Sequence, residues 1–369
     1  MKKSLIIVLL VMIISYFLYE NIYKKDVIKI GFVAGLSGKY SNLGHSVLDG
    51  FNLAFSEIYY KIDDYKIQIS IKDDKQKDEI AKRVIQDLKK ENITLVVGNT
   101  TSSMTKTSLA NLEDDMFLFS PSASSGDFSY KDDNFFRVQV AHSKERFKLL
   151  SKYLLKENIS NLYLVYDAKN SSYTNNYVNN LKESLNTIVN VDDYIGKKTI
   201  DQEYQMILED IKSKENLDGV IIVANSIDTS KLIQFLRLKG FDKQIIASGW
   251  AKNKNFLEDA GKAANGTIFL TSYDMDSENK TYQEFVKRFK ERYNYEPSVF
   301  SAQGYETAKI IINILKKDSN LENFKKNLLR LKTFKGLQGD IIFDKYGDVQ
   351  RESFIVKVKD DKFEKIEFH

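Results

Sequence analysis

Hydrophobic and polar positions follow one another along this chain with two different periods. Short apolar runs, typical of buried strands, are each followed by a polar loop and then by a segment whose apolar positions recur about every 3.6 residues, as on one face of a helix. The first such unit is the strand at 28–33 with the helix that follows it. Up to about residue 140 the pattern predicts strands at 28–33, 65–71, 95–97, 116–119 and 135–138, helices at 47–58 and 78–91, and a helix that includes Leu109 and Leu112.

The same succession begins again near His142. It predicts strands at 161–166, 219–223, 244–247 and 268–270, and helices at 144–156, 175–185, 202–214, 229–239, 281–293, 301–317 and 321–331. Apolar runs at 339–343 and 354–358 predict a closing hairpin with its turn at 344–348. Because strands that alternate with helices form parallel sheets with helices on both faces, the pattern predicts an α/β protein with two lobes.

The most informative stretch is 95–126, where two predicted strands each end in a polar turn. Gly98 ends the first strand, and 99–105 consists mostly of small residues with hydroxyl groups. The second strand ends in the polar turn 120–126. In an open α/β sheet both turns lie at the carboxyl ends of neighbouring strands, where such sheets bind ligands. Hydroxyls and free backbone N–H groups at a helix start suit a carboxylate or another anion, although the same residue types also serve simply as helix caps.

The N-terminus has the layout of an export signal. Lys2 and Lys3 precede an uncharged apolar run at 5–19, and charged residues follow it. No small residues mark a cleavage point, and the run of about 15 residues is shorter than the ~20 that a membrane-spanning helix needs. We expect residues 1–26 to be a signal segment that directs the chain out of the cytoplasm and that can stay uncleaved as a membrane anchor.

Composition and charge exclude several classes of protein. The chain contains 43% hydrophobic and 29% charged residues, which is typical of a globular rather than a disordered protein. Its 55 basic and 51 acidic residues are evenly spread, so no clustered basic surface for nucleic acid is expected. The absence of cysteine excludes disulfides, thiolate nucleophiles, cysteine zinc sites and a lipid-modified cysteine.

Residues suited to catalysis are scarce. None of the common nucleophile, dinucleotide, phosphate-binding or zinc motifs occurs, and the three histidines, His45, His142 and His369, are far apart in sequence. Asp73 and Asp74 form a candidate acid–base pair, but such residues more often end a strand and begin the next turn. We therefore predict no catalytic residues, no metal ligands and no cofactor.

The segment 28–58 resembles the opening of type I periplasmic solute-binding proteins of the branched-chain amino-acid transporter class. In that family a strand leads to a P-L-S-G-like turn, a loop that contains glycine, and a helix that begins with an N-G-like pair. Here these features correspond to Leu36-Ser37-Gly38, Leu43-Gly44 and Asp49-Gly50. Further matches follow in order at 73–74, 97–98, 102–103, 120–124, 136–137, 249–251, 263–266 and 339–344. Their order and spacing make the resemblance specific, and it extends from Val27 to the end of the chain.

The resemblance implies a two-lobed binding protein that closes on a small ligand by a hinge. The fold class it implies is α/β, with two Rossmann-like lobes whose parallel sheets are joined by a hinge of three chain crossovers. Lobe 1 would then comprise residues 27–140 and 268–336, and lobe 2 residues 141–267 and 337–369.

The resemblance also implies a set of ligand-binding positions in lobe 1. Members of the family hold the carboxylate of an α-amino acid with a hydroxyl and with N–H groups from two turns. These correspond to Ser102 in the first turn and to Ala123 and Ser124 in the second. Leu43 corresponds to the loop residue that covers the ligand from lobe 1.

Lobe 2 matches the family at some positions and departs from it at one. Tyr173 matches a tyrosine in the loop after the first strand of that lobe, and Asn225 or Ser226 falls at a ligand-contacting strand end. Amino-acid binders place an acidic residue after the strand that corresponds to 244–247, where it pairs with the ligand ammonium. Here that turn reads Ser248-Gly249-Trp250 and contains no carboxylate.

Trp250 has two interpretations, an apolar or cation–π platform for the ligand or a residue that packs at the hinge. Asp228 and Asp274 are acidic residues that could replace the missing carboxylate, but neither aligns with it. The carboxylate side of the site is therefore expected to be retained, and an aliphatic or aromatic amino acid, an amide and a plain carboxylate all remain open as ligands.

The leading hypothesis is an extracytoplasmic solute-binding protein that delivers its ligand to the membrane permease of an ABC transporter. The alternative is a ligand-sensing lobe that reports to a separate membrane signalling partner. An α/β enzyme is a third class, which the missing nucleophile and metal motifs disfavour. No nucleic-acid partner is expected.

Overall fold

Two α/β lobes account for most of the residues that the structure describes. The structure is a computed structural model that describes residues 27–185, 190–194, 200 and 203–367. The predicted signal segment 1–26 and His369 lie outside these residues. Within them, no helix has the length and apolar character needed to cross a bilayer.

The first lobe begins at the start of the described chain. Its elements are β1 (Val27–Ala34), α1 (Ser41–Ser56), β2 (Lys61–Ile62), β3 (Tyr65–Asp73), α2 (Asp78–Lys90), β4 (Leu95–Gly98), α3 (Ser102–Leu109), β5 (Phe117–Ser120) and β6 (Phe135–Arg137). The strands form one sheet in the order β2-β3-β1-β4-β5-β6, and all neighbours except β2 and β3 run parallel.

The chain then enters the second lobe. The elements of this part are α4 (Lys144–Lys156), β7 (Asn161–Tyr166), α5 (Ser171–Leu185), β8 (Asn190–Tyr194), α6 (Tyr204–Ser213), β9 (Gly219–Val223), α7 (Ser226–Leu238), β10 (Gln244–Ala247), α8 (Lys254–Ala260) and β11 (Ile268–Thr271). The remaining elements are α9 (Lys280–Tyr293), α10 (Val299–Leu315), α11 (Phe324–Leu331), β12 (Thr333–Gly336), β13 (Gly339–Phe343), β14 (Val349–Gln350), β15 (Phe354–Lys359) and β16 (Lys362–Ile366).

The sheet of the second lobe has the order β16-β15-β11-β10-β9-β7-β8. Its strands from β8 to β11 run parallel, and β15 and β16 add an antiparallel edge. The predicted α/β fold of two lobes with mainly parallel sheets is therefore confirmed. The central strands β4, β5, β9 and β11 are buried along their whole length, which explains why they read as continuous apolar runs.

Helices α9 to α11 return to the first lobe. The contact between α1 and α10 is unusually close because both helices present a glycine there. A Cβ atom on Gly50 would lie 1.8 Å from the carbonyl oxygen of Ser301, and one on Gly304 would lie 2.1 Å from that of Val47. The N-G-like pair noted in the sequence thus contains a glycine that the packing of two helices requires.

Three segments, at 138–143, 272–279 and 351–353, connect elements that pack with the first sheet to elements of the second sheet, and we call them the first, second and third crossings. Two of these crossings differ from the partition derived from the sequence. The strand Ile268–Thr271 pairs with β10 and β15 in the second sheet rather than starting a return to lobe 1. The small sheet β12-β13-β14 packs against lobe 1, where the ring of Phe343 lies 6.1 Å from that of Phe119. The other lobe boundaries remain predictions.

The predicted hairpin has its turn at 344–348, but its second strand is β14 rather than the run at 354–358. Strand β13 pairs with β12 on one side and with β14 on the other, whereas β15 pairs with β11 and β16. The two apolar runs have the composition of neighbouring strands. However, β14 lies between them in sequence, and it pairs with β13 in place of the run at 354–358.

Candidate functional site

The carboxyl ends of β4 and β5 in lobe 1 face those of β7 and β10 in lobe 2 across a cleft. The cleft encloses a cavity of about 40 Å³, which we call the central cavity. Of the eight residues predicted to bind ligand, five line it: Leu43, Ser102, Ser124, Tyr173 and Trp250. The two polar turns noted in the sequence thus meet residues of the opposite lobe.

The hydroxyl of Ser102 joins the two turns of lobe 1. Ser102 is the first residue of α3, and its Oγ accepts hydrogen bonds from the backbone nitrogens of Ser124 at 3.3 Å and of Ser125 at 3.2 Å. Gly98, which ends β4, allows this turn to begin, because a Cβ atom at this position would lie 2.1 Å from the carbonyl oxygen of Val33. The first turn therefore positions the second.

Arg137 holds the second turn from behind. Its guanidinium is fully buried and donates to the carbonyl oxygen of Ser125 at 2.6 Å and to that of Ala123 at 3.4 Å. Its Nε pairs with Asp348 at 2.6 Å. The N–H of Ala123 donates to the side chain of Ser120 at 3.0 Å, so both backbone groups of Ala123 serve the turn itself and the residue does not line the cavity.

His142 contacts the second turn from the first crossing. Its Nε2 lies 3.0 Å from the hydroxyl of Ser124, and its ring packs edge-on against Tyr173 and Tyr177. Burial, with the nearby cations Arg146 and Arg137, holds the pKa of His142 well below its usual range. The imidazole is therefore neutral at neutral pH and serves as a hydrogen-bonding group rather than as a charge.

Arg146 is the charged residue of the central cavity. It lies in the first turn of α4, and its Nη1 is 3.4 Å from Nδ1 of His142. Its Nε is buried and has no hydrogen-bond partner among the described residues. Burial lowers the pKa of Arg146, yet an arginine stays protonated in proteins. Among the residues that the structure describes, no Asp or Glu lines this cavity, so the guanidinium faces it without a counter-ion.

Aromatic rings form the wall of the cleft opposite the polar turns. Trp250 is buried between Tyr40 of lobe 1, at a ring distance of 5.5 Å, and Tyr173 of lobe 2, at 5.3 Å. Trp250 therefore both lines the central cavity and packs between the lobes, which joins the two interpretations drawn from the sequence. Burial raises the pKa of Tyr173 to about 12, so its hydroxyl stays protonated at neutral pH.

Direct bonds between the lobes hold the cleft closed in this structure. The hydroxyl of Tyr40 donates to Asp167 at 2.7 Å, and the backbone nitrogen of Ser103 donates to the side chain of Asn170 at 3.1 Å. Lys39 and Asp228 form an ion pair at 2.7 Å. Asp228 thus pairs with a lysine of lobe 1 and is not available as a replacement for the missing ligand carboxylate.

Asn225 and Ser226 do not line the central cavity. They line a neighbouring cavity of about 20 Å³, which shares Leu43 and Trp250 with it. The side chain of Asn225 caps α7 by accepting from the backbone nitrogen of Asp228 at 3.1 Å and by donating to its carboxylate at 2.7 Å. The polar groups of Asn225 are thus used in the helix cap.

Asp73 and Asp74, the candidate acid–base pair, form hydrogen bonds that hold two loops in place. Asp73 accepts from the backbone nitrogen of Leu36 and from the hydroxyl of Ser37, and the buried Asp74 accepts from Asn99 at 2.9 Å. The two carboxylates thus fasten the loops that follow β1 and β4. Among the described residues, no group of three or more His, Asp or Glu is arranged to hold a metal ion.

Sequence reasoning missed Arg146, Gln139 and Tyr177 as lining residues. Arg146 stands in a charged helical stretch, K-E-R-F-K, where it reads as a solvated position. The available signal was its spacing of four residues from His142, which places both on one side of the chain where a helix begins. The spacing indicates a cleft residue only once the segment 138–143 is known to border the cleft.

Comparisons with known proteins agree with the two-lobed fold. A family model described as periplasmic binding protein matches residues 27–362. A similar solved structure is the branched-chain amino acid transporter substrate-binding protein LivJ from Streptococcus pneumoniae in complex with isoleucine. The TM-score to it is 0.80 at 25% identity, with 92% of this chain and 98% of that chain covered.

Two further structures share the fold. The leucine-binding protein LivK from Thermotoga maritima gives a TM-score of 0.81 at 19% identity, with 92% of this chain and 98% of that chain covered. A solute-binding protein of an ABC transporter from R. palustris, in complex with benzoate, gives 0.82 at 18% identity, with 92% and 95% covered.

Proposed function

This chain belongs to the periplasmic binding protein family, and we propose that it is an extracytoplasmic solute-binding protein for a small carboxylate-bearing ligand. It closes on this ligand between its lobes and delivers it to the membrane permease of an ABC transporter. Its family and its structural neighbours are solute-binding proteins rather than enzymes.

The observation that carries the proposal is the unpaired Arg146 in a cleft lined by hydroxyl groups. Arg146 is half-buried, but its Nε is fully buried without a hydrogen-bond partner among the described residues, and a ligand carboxylate that accepts from this Nε would offset the cost of the unsatisfied donor. Ser102, the first residue of α3, and Ser124, in the turn after β5, line the same cavity, and the start of a helix favours an anion.

The lining of the cavity also bears on which carboxylates fit. Among the described residues the central cavity has no acidic side chain, so a ligand ammonium would have no carboxylate to pair with. The relatives include a protein solved with isoleucine and one solved with benzoate. Both ligands carry a carboxylate, and only the first carries an ammonium group. For this chain we favour a carboxylate for which an amine is not required.

Hydrogen bonds between the two lobes stabilise the closed cleft. The bonds of Tyr40 with Asp167 and of Ser103 with Asn170 join the lobes directly, and a bound carboxylate would add contacts to both lobes. A ligand that touches both lobes shifts the population toward the closed form by its differential affinity. The segment at 5–19 is part of the proposal as a tether, and mass spectrometry of the mature N-terminus tests it.

A calorimetric and thermal-shift screen of the purified chain tests the function. Amino acids, their amides and simple monocarboxylates are compared, because a ligand that binds the native state raises the melting temperature. We expect carboxylates to raise it and the matching amides to have little effect, and we expect the ligand to be recovered unchanged after incubation. Chemical turnover of a bound compound, or a stronger response to amides than to carboxylates, would overturn the proposal.

A further inference from the structure

A second cavity adjoins the central one on the side of the hinge. It measures about 30 Å³, and we call it the hinge cavity. It shares Gln139, Arg146, Gly249 and Leu270 with the central cavity, so the two are contiguous. Its other lining residues include Tyr273 of the second crossing, Arg351 of the third, Lys252, and Gln303 of α10.

Lys252 lies in the wall of the hinge cavity without a direct ion-pair partner among the described residues, although the carboxylates of Asp274 and Asp276 are near enough to favour its charge. The residue is only 1% exposed, and its Nζ donates to the carbonyl oxygen of Tyr273 at 3.2 Å. On another side the ammonium lies 4.9 Å from the ring centre of Phe363. A carbonyl and a ring leave donor capacity on a group that has three N–H bonds. No carboxylate of the described residues forms an ion pair with Lys252.

Four polar atoms around the hinge cavity are buried without a hydrogen-bond partner among the described residues. They are Nε of Arg146, Nε of Arg351, the hydroxyl of Tyr273 and Oε1 of Gln303. Tyr273 and Gln303 are each 4% exposed. Because buried polar groups are almost always satisfied in folded proteins, such a concentration around one cavity indicates an occupant that is polar.

The charges around the hinge cavity favour an anion. Arg146, Lys252 and Arg351 line it, and none of its described lining residues is acidic. Arg351 is neutralised by Glu306, at 2.5 Å, but Arg146 and Lys252 are not paired in this way. Two unpaired cations therefore border a small polar space that opens into the proposed ligand site.

We propose that the hinge cavity is a second anion-binding subsite and that the ligand is a small dicarboxylate. One carboxylate lies in the central cavity near Ser102 and Ser124, and the other lies in the hinge cavity near Lys252. Arg146 stands between the two cavities and contributes to both. This inference rests on the proposed function, because it takes the central cavity as a carboxylate site.

The position of the subsite gives it a role in closure. Gln139, Tyr273 and Arg351 each belong to a different crossing, so an anion in the hinge cavity would contact all three connections between the lobes. A dicarboxylate would thus join the turns of lobe 1 to the hinge, whereas a monocarboxylate would leave the hinge cavity to water.

Isothermal titration of matched pairs tests the inference: succinate with butyrate, glutarate with pentanoate, and adipate with hexanoate. We expect at least one diacid to bind about tenfold or more tightly than its monoacid, the effect of one well-made bond to a charged group. Lys252→Met should remove most of this difference and leave the affinity for the monoacid within about twofold. Lys254→Met, on the exposed face of α8, is the matched control and should change neither affinity.

The outcomes separate the inference from the proposed function. If monoacids bind and no diacid binds more tightly, the hinge cavity holds only water and the dicarboxylate inference is wrong while the carboxylate site stands. The same conclusion follows if Lys252→Met weakens both members of a pair equally. If no carboxylate of either kind binds, the proposed function fails and the inference fails with it.

Discussion

The hydroxyl of Tyr40 donates a hydrogen bond to the buried carboxylate of Asp167 across the cleft, at 2.7 Å. Burial and the neighbouring carboxylate raise the pKa of Tyr40, so the hydroxyl keeps the proton that it donates. The bond joins the loop before α1 to the end of β7. It is a direct contact between the two lobes.

Tyr40→Phe should open the cleft. The substitution removes a bond to a charged group worth about 1 to 2 kcal/mol and leaves Asp167 with one hydrogen bond fewer, so the closed form becomes less populated. We expect a larger radius of gyration without ligand in small-angle X-ray scattering, and a weaker affinity for the best carboxylate. Tyr130→Phe is the control, since Tyr130 is 77% exposed. An unchanged radius of gyration would show that Tyr40 does not hold the lobes together.

Ser102→Ala should weaken carboxylate binding. The hydroxyl joins the two turns of lobe 1, and its loss frees the backbone nitrogens of Ser124 and Ser125. We expect a loss of affinity of about tenfold, measured by isothermal titration, with a small decrease in melting temperature. Ser56→Ala removes a hydroxyl that bonds within α1, away from the cleft, and serves as the control. Retained affinity in Ser102→Ala would exclude the assignment of this turn.

Arg146→Gln should change affinity and stability differently. The guanidinium faces the cavity without a carboxylate, so its removal deletes the charge that attracts the ligand and also removes a buried, unsatisfied Nε donor. We expect carboxylate affinity to fall by roughly ten- to a hundredfold while the unliganded protein keeps or gains stability in urea. Lys148→Gln, on the exposed face of the same helix, is the control. A parallel loss of stability and affinity would assign Arg146 a structural role instead.

Lys252 should make stability depend on pH in the alkaline range. Burial lowers the pKa of Lys252 from 10.5 to about 8, although Asp274 and Asp276 favour its charge. Between pH 8 and pH 10.5 the unfolded chain therefore binds more protons than the folded chain. The full cost of burying the charged lysine applies below pH 8, and the cost decreases as the pH rises to 10.5. Each pKa unit is worth about 1.4 kcal/mol, which gives a cost on the order of 3 kcal/mol.

Urea unfolding of the wild type and of Lys252→Met measures this dependence. The variant should be more stable at pH 7 by an amount that shrinks as the pH rises to 10.5, where the lysine is neutral in the folded state and about half neutral in the unfolded state. Arg146 and Arg351 face the same cavity and stay charged throughout, so they do not contribute to the slope. An equal difference at the two pH values would mean that the side chain alters packing rather than charge.

The succession of strands and helices along the chain and the position of the cleft could be predicted from the sequence, because both follow from local patterns. The polar turns at 99–105 and 120–126 come directly after apolar strands, and parallel strands bring their carboxyl ends to one edge of a sheet. This reasoning, together with the family resemblance, selects Ser102, Ser124 and Tyr173, and all three line the central cavity. Their contact with a ligand remains a prediction.

The partners of the last strands and the charged residues of the cleft could not be predicted in this way. Strand pairing depends on long-range contacts, so the apolar run at 354–358 did not reveal that its partners are β11 and β16. Arg146 and Lys252 are buried by elements that are distant in sequence, and a lysine or arginine in a polar stretch is normally solvated. Asn225 was assigned to the ligand although its side chain is used to cap α7.

Arg137 determines where the molecule can bend. Its guanidinium holds the second turn of lobe 1 through the carbonyl of Ser125 and, in the opposite direction, binds Asp348 near the third crossing. These contacts tie the turn, the end of β6 and the segment before β14 to one another, and we expect a rotation of the lobes to be taken up at 138–143 and 351–353 rather than within the sheets. A substitution at this arginine would displace the pivot itself, with an effect on domain rotation even though its side chain lies outside the central cavity.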